Sequence, residues 1–284
     1  DVCSSDLGVD LMPTLFDFSN YDQLIPLVTN SLIAGALLAL IGGLVGVFVM
    51  TRDMSFAVHG ISELSFAGAA FALLLGFNVV GGSILGSLIA AAIIGYLGAK
   101  AKDRNSIVAV LMPAGLGLGI LALALYEGRA ANKFGLLTGQ IVAVDNPQLL
   151  WLVAICSVVL ISLLLIWRPL TFASLDPEVA AARGVPTRTL SIAFMLLLGL
   201  SVAASVQIVG ALLVLSLLVT PAAAALRVSS SPILTPLLSV AFAVTSVIGG
   251  ILLALGAGLP ISPYVTTISF LIYVICRIVE RVKK

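Results

Sequence analysis

The chain has 284 residues, of which 61% are hydrophobic and 10% are charged, with a mean hydropathy of +1.22. A soluble domain typically carries roughly 25% charged residues, so this composition excludes a water-soluble globular protein and indicates a protein of the lipid bilayer. The net charge of +1 says nothing about nucleic-acid binding, and we set that function aside because no basic run interleaves with aromatic residues.

The chain begins with two segments that we do not assign to the membrane. Residues 1–7, DVCSSDL, match one reading frame of a common sequencing-adapter oligonucleotide, and we interpret them as a scar outside the fold. Residues 8–23 are predicted to be an N-terminal extramembrane segment. A single transmembrane domain is predicted over 24–279, and residues 280–284 form a tail.

Apolar runs dominate the rest of the chain, and a membrane-spanning helix needs about 20 such residues. We therefore predict an all-α polytopic membrane protein with eight or nine spans. The uncertainty lies between 190 and 226, which can form two helices with a tight turn near Gln207, or one long tilted helix and a short one. The runs are 24–50, 55–76, 79–99, 106–125, 148–167, 190–205, 207–226, 233–255 and 261–279.

Basic residues in the short loops predict the orientation, because Lys and Arg accumulate on the cytoplasmic side. If the loop with Arg52 is cytoplasmic, only Arg129 and Lys133 fall outside, and the C-terminal tail is cytoplasmic. The basic residues then placed inside are Arg52, Lys100, Lys102, Arg104, Arg168, Arg183, Arg188, Arg227, Arg277, Arg281, Lys283 and Lys284.

Glycines spaced four residues apart predict close helix packing in lipid. Two prolines, Pro113 and Pro221, fall inside apolar runs and predict a kinked or broken helix. The glycine pairs are Gly42 and Gly46, Gly82 and Gly86, and Gly115 and Gly119.

Two polar stretches interrupt the spans. Residues 128–147 are too polar for an ordinary span and too apolar for a free loop, so we expect a re-entrant or interfacial segment. Residues 168–189 form the one long cytoplasmic segment, in which Asp176 can cap a helix that has Pro177 at its first position and Gly184 after its end. A short helix across the cytoplasmic face is predicted there.

His59 and Glu63 stand out because they are ionisable and deep in a span. Counted from Arg52, they lie about 10 Å and about 16 Å into a hydrocarbon core of about 30 Å, and their spacing puts both on one helical face. A charge at that depth is costly unless it is paired or reaches water. Nitrogen and oxygen ligands together favour a divalent transition metal, and an incomplete site suits a carrier that must release its ion.

Two other interpretations of the pair stay open at this point: a structural His–Glu hydrogen bond between helices, and a proton relay. The nearby hydroxyls of Ser62 and Ser65 are either secondary ligands or polar contacts between helices.

Several segments resemble the ABC-3 family of permeases, which belong to zinc, manganese and iron importers. The stretch VHGISELSFAGAAFALLLG resembles the family pattern G-D-x-x-S-H-A, with His59 at the usual aspartate, Ser62 at the serine and Glu63 at the usual histidine. The ligand types are kept and their order is exchanged.

Four further segments match in order along the chain, and LDPEVAAARGVPTRTL is similar to the family segment that docks on the ATPase. Asp176, Ala180 and Gly184 stand at matching places there, with Glu178 in the same segment, and we expect these four residues to couple to the ATPase. The other three segments are LLTGQIVAVDNPQL, VGALLVLSLLVTPAAAALRV and GLPISPYV.

The resemblance implies a permease subunit with a type II importer-like fold, in a bacterial or archaeal cytoplasmic membrane. It implies three protein partners: an ATP-binding cassette ATPase, an extracytoplasmic metal-binding lipoprotein, and a second permease copy, identical or homologous. It implies that the transported ion is zinc or manganese, with ferrous iron as a third option, held in transit by His59 and Glu63, with Ser62 as an optional ligand. We expect no permanently bound cofactor.

The chain has no Walker A pattern, so we expect ATP hydrolysis on a separate chain and no enzymatic activity here. The main alternative is a proton-coupled secondary transporter that uses the His59 and Glu63 pair. An intramembrane protease is disfavoured because H-E-x-x-H and G-x-S-x-G are absent. A permease for metal chelates would not need such a pair in mid-membrane.

Overall fold

The computed structural model describes residues 25–98, 101–128, 144–211, 213–257 and 261–283. These residues form α-helices without a strand among them. A 3-10 turn, Ile25–Val28, leads into the first helix. The helices are α1 Thr29–Thr51, α2 Ser55–Leu75, α3 Val79–Leu97, α4 Ala101–Leu125, α5 Asn146–Leu175, α6 Pro177–Ala182, α7 Thr187–Val209, α8 Val214–Leu218, α9 Thr220–Val228, α10 Leu234–Ala257 and α11 Ile261–Lys283.

Eight of the described helices are long and apolar enough to cross a membrane, which confirms the prediction of an all-α polytopic membrane protein. They are α1 to α5, α7, α10 and α11. The helix α11 also continues through residues 280–283, the beginning of the predicted tail.

The stretch between 190 and 226 forms one long helix, α7, followed by short helices, as in the second of the two predicted paths. The apolar segment Val214–Val228 is shorter than the eight long helices, yet it leads the chain back across the bundle. Before it, Gln207 Nε2 donates to the Val80 carbonyl at the start of α3, and at its end Arg227 lies 3.7 Å from Glu280 of α11. The helix α7 runs through Gln207 and ends before Gly210, which has a φ of 84°. The short helices α8 and α9 follow, with five and nine residues. Pro221 lies in the first turn of α9, where its missing N–H is tolerated, and its ring prevents α8 from continuing.

The helix α5 is longer than the predicted span 148–167, because it continues through Pro169 to Leu175. Tertiary contacts hold this extension: Leu170 is completely buried, and Arg52 Nη1 donates to Ser174 Oγ at 3.3 Å. Residues 168–175 of the predicted cytoplasmic segment are therefore the last two turns of a spanning helix. A proline inside α4, Pro113, likewise does not interrupt its helix.

Close approaches at glycine confirm the predicted small-residue packing. The helix α2 packs mainly against α3 and α4, and α1 packs against α10, α5, α8 and α9. A Cβ atom on Gly86 would lie 2.2 Å from the Leu64 carbonyl oxygen, and one on Gly115 would lie 3.0 Å from the backbone carbon of Glu63. Helix α2 is thus held between two glycine-bearing neighbours, which fixes the position of the residues it carries.

Candidate functional site

The helix α2 carries both residues of the predicted metal pair. It follows a tight turn after α1, in which Asp53 has a φ of 52° and Met54 N–H donates to the Val49 carbonyl at 2.8 Å. Glu63 lies eight residues beyond Ser55, the start of α2, so it is about 12 Å along the helix axis. Since α2 has 21 residues, this depth is near the middle of the span.

The two side chains face each other across one turn. His59 Nε2 lies 3.7 Å from Glu63 Oε1, and the side chains are 28% and 6% exposed respectively. This distance is longer than a hydrogen bond. Two ligand atoms on one tetrahedral zinc ion lie about 3.4 Å apart, so a small side-chain rotation would let both reach one cation.

The pair does not link two helices, because both residues belong to α2. His59 Nδ1 is buried and has no hydrogen-bond partner among the described residues. An imidazole held for structural reasons usually has both nitrogens satisfied. His59 Nδ1 without a described hydrogen-bond partner and the long distance from Nε2 to Glu63 Oε1 therefore do not fit a purely structural His–Glu hydrogen bond.

Among the described residues, the surroundings of the pair bring no further strong metal ligand. Within the part of the chain that the structure describes, no group of three or more His, Cys, Asp and Glu side chains is close enough to share an ion. On helix α4, Gly115 packs on the backbone of Glu63. The described part of one chain therefore offers one nitrogen and one carboxylate at this depth, whereas a structural zinc site has four protein ligands.

The two serines beside the pair make different contacts. Ser62 Oγ donates to the His59 carbonyl at 2.8 Å, within α2. Ser65 Oγ donates to the Ser83 carbonyl at 3.1 Å and lies 2.8 Å from Ser83 Oγ, both on α3. The contact of Ser65 is thus the predicted polar contact between helices, whereas the hydroxyl of Ser62 is bound within its own helix beside the pair.

The short helix predicted within residues 168–189 is confirmed as α6. Asp176 Oδ1 accepts a hydrogen bond from Val179 N–H at 3.0 Å, Pro177 is the first helical residue, and Gly184 has a φ of 83°. Ala180 is completely buried against the bundle, whereas Asp176 and Glu178 are exposed. Helix α6 is therefore anchored by one small side chain and presents the rest of its surface outward.

A third feature was not predicted. A cavity of about 510 Å³ lies beside α6, and its lining includes Arg52, Arg104 and Arg188. From the sequence these arginines indicated only the membrane orientation, because the residues next to each arginine do not show that the three side chains come together. The predicted re-entrant segment 128–147 lies mostly in residues 129–143, outside the described residues.

The profile of the ABC 3 transport family matches residues 24–280. The manganese transport system membrane protein MntC of Halalkalibacterium halodurans is 30% identical over 234 residues, which is 81% of this chain and 80% of that protein. The high-affinity zinc uptake system membrane protein ZnuB of Haemophilus influenzae is 26% identical over 246 residues, which is 86% of this chain and 94% of that protein.

The fold also matches a solved structure, PsaBC from Streptococcus pneumoniae in complex with Fab. The TM-score is 0.83 at 23% identity, and the match covers 94% of this chain and all of that chain. The family match over nearly the whole length agrees with the motifs, with the eight spans and with this fold. The chain belongs to the ABC 3 transport family and is a multi-pass membrane protein.

Proposed function

We propose that this chain is the permease subunit of an ATP-binding cassette importer for a divalent transition metal, manganese or zinc. The observation that carries the proposal is the pair of His59 and Glu63, a nitrogen ligand and a carboxylate enclosed near the middle of one span. Relatives named for manganese and for zinc transport support this ion class, and nitrogen with oxygen ligands suits both metals.

The pair would hold the ion only in transit. Two ligands leave most coordination positions to water, to a second permease copy or to Ser62, so the ion is not trapped. A neutral imidazole and an ionised carboxylate are needed for binding, and the incoming cation itself compensates the buried negative charge of Glu63. His59, the more exposed of the two, would meet the ion at the accessible side of the pair.

The coupling segment supports a separate ATPase partner. The exposed part of α6, with Asp176 and Glu178 at its beginning, is accessible for binding by another protein. Helix α6 packs on α5 and α7, and α7 packs on α2 and α3. A push on α6 would therefore reach α2, the helix that carries the metal pair, through one intervening helix, α7. In this arrangement the end of the bundle with α6 and the C-terminus is cytoplasmic, and a metal-binding lipoprotein delivers the ion on the opposite side.

A proton-coupled secondary transporter would need no docking helix. Because α6 is formed, capped and exposed, the observed geometry favours the ATP-driven importer, and no described contact extends the pair into a chain of proton-carrying groups.

The test is uptake of radioactive manganese and zinc by cells that carry the complete transporter with His59→Ala or Glu63→Gln. We expect uptake of the transported ion to fall to background in both variants, while membrane insertion and ATPase association are retained. Ser246→Ala is a matched control, because its buried hydroxyl only donates to the Phe242 carbonyl of its own helix. Normal uptake in both site variants would remove the site assignment, and unchanged uptake after deletion of the ATPase would remove the importer class.

A further inference from the structure

The cavity beside α6 brings together positive charges that the proposed transport step does not use. Its charged lining residues are Arg52, Arg104, Arg188 and Asp53. They come from the turn between α1 and α2, from α4 and from α7, so they converge only in the folded chain. Three guanidinium groups against one carboxylate make the cavity strongly positive.

Two of the three guanidinium groups, those of Arg52 and Arg104, are bonded to neutral partners. Arg52 donates to Ser174 Oγ at 3.3 Å and to Ser191 Oγ. Arg104 Nη2 donates to the backbone carbonyls of Arg52 and Asp53, at 3.1 Å each. Among the described residues, none of the three arginines has a carboxylate within ion-pair distance.

Two of these charges are poorly solvated. Arg104 is only 9% exposed, and the Nε atoms of both Arg52 and Arg104 are buried without a hydrogen-bond partner in the described ranges. Burial and the nearby Arg104 guanidinium lower the pKa of Arg52. Burying like charges together is unfavourable unless an anion compensates them.

We propose that this cavity binds a phosphate group, supplied by an anionic phospholipid headgroup or by free phosphate. Guanidinium N–H groups that approach from several directions suit the four oxygens of a phosphate, which are arranged as a tetrahedron. The hydroxyls of Ser174, Ser191 and Thr187 lie in the same lining.

The position of the cavity fits a headgroup. Arg52 follows directly after the end of the first span, so the cavity lies at the boundary of the apolar region. The Arg188 guanidinium lies 6.0 Å from the centroid of the Tyr96 ring, which is 67% exposed, and a tyrosine beside a cation is typical of the membrane interface. Basic pockets between spanning helices at this level bind lipid headgroups in other membrane proteins.

A bound phosphate would connect the elements around the coupling helix. It would join the turn after α1 to α4 and α7, next to Ser174 at the end of α5 and Pro177 at the start of α6. The anion would therefore hold in place the helices on which α6 rests, without contacting His59 or Glu63.

The experiment uses the full-length chain, purified in a zwitterionic detergent and stripped of lipid. Phosphatidylglycerol, phosphatidylcholine and inorganic phosphate are added separately, and binding is followed by thermal unfolding and by native mass spectrometry of lipid adducts. Arg188→Gln removes an exposed cavity charge that the fold does not need for hydrogen bonding, and Arg281→Gln removes an exposed charge of α11, outside the cavity. A folded Arg52→Gln variant tests the interior of the cavity.

We expect phosphatidylglycerol to bind and stabilise the wild type more than phosphatidylcholine does. Arg188→Gln should weaken this binding by about fivefold, the effect of one cationic side chain at a membrane surface, and Arg281→Gln should leave it unchanged. An effect of phosphatidylglycerol but not of inorganic phosphate identifies the lipid as the source, and an equal Arg188-dependent effect of millimolar phosphate identifies the free anion.

Three results would overturn the proposal. The first is the absence of any Arg188-dependent stabilisation by either anionic probe. The second is an equal loss of binding in Arg281→Gln, which would mean nonspecific surface attraction. The third is Arg188-dependent stabilisation that requires the ATPase subunit and no phosphate, which would assign the cavity to a carboxylate of that partner.

Discussion

Gly46 in α1 faces the Leu218 carbonyl oxygen at the end of α8 so closely that a Cβ atom on Gly46 would lie 1.9 Å from that oxygen. One turn earlier, a Cβ atom on Gly42 would lie 3.2 Å from the Leu217 carbonyl oxygen. The broken segment of α8 and α9 therefore packs on the glycine face of α1, and these glycines allow the bundle to enclose a broken helix.

Gly46→Ala should destabilise the fold, because the added methyl group meets backbone rather than a flexible side chain. Overpacking of this kind costs about 1–3 kcal/mol or more. We expect a lower thermal unfolding temperature in detergent. Gly117→Ala is the matched control, since nothing lies within 4 Å of its new Cβ atom, and it should be neutral or slightly stabilising. Equal effects of the two substitutions would contradict the described packing.

Exchanging the two ligands should preserve transport. The double variant His59→Asp with Glu63→His keeps one imidazole and one carboxylate on the same face of α2, one turn apart. We expect it to recover a large part of wild-type metal uptake, whereas His59→Asp alone should fail because two carboxylates then lie together near the middle of the span. If the double variant is as inactive as the single one and still assembles, the pair does not act through its ligand types.

Substitutions of the two serines beside the pair should show whether each hydroxyl binds the metal or only stabilises the helices. Ser62→Ala removes a hydroxyl bonded to the His59 carbonyl, so metal uptake should stay near the wild-type level. Ser65→Ala removes the hydrogen bonds to Ser83 and should cost about 1 kcal/mol of stability, with little direct effect on metal affinity. A marked loss of uptake in Ser62→Ala, with normal protein levels, would make Ser62 a ligand.

Asp176→Ala should weaken coupling to the ATPase. Loss of an N-cap costs about 1 kcal/mol, which is large for a helix of six residues, while the eight spans keep their packing. We expect unchanged thermal unfolding of the isolated chain, reduced association with the ATPase and reduced uptake. Asp176→Ser retains a capping oxygen and should restore both. If Asp176→Ser is as defective as Asp176→Ala, the carboxylate acts by direct contact rather than as a cap.

Local signals in the sequence were sufficient for much of the fold. Runs of about 20 apolar residues marked the spans because hydrocarbon accepts only helices whose backbone groups are internally bonded. Asp176, Pro177 and Gly184 predicted α6 because caps and left-handed turns depend on single residues. The spacing of His59 and Glu63, four residues apart, was sufficient to predict that both lie on one face of the helix.

What only the tertiary structure decided depends on contacts between distant residues. The path after Gln207 could be read in two ways from hydropathy, and the docking of α8 and α9 on the glycines of α1 selects one of them. Pro169 is a helix breaker by itself, yet α5 continues past it because buried Leu170 and the bond from Arg52 to Ser174 hold the last turns in place. The arginine cavity likewise exists only because folding brings Arg52, Arg104 and Arg188 together: hydropathy and spacing describe single helices, whereas a cavity is a property of several helices at once.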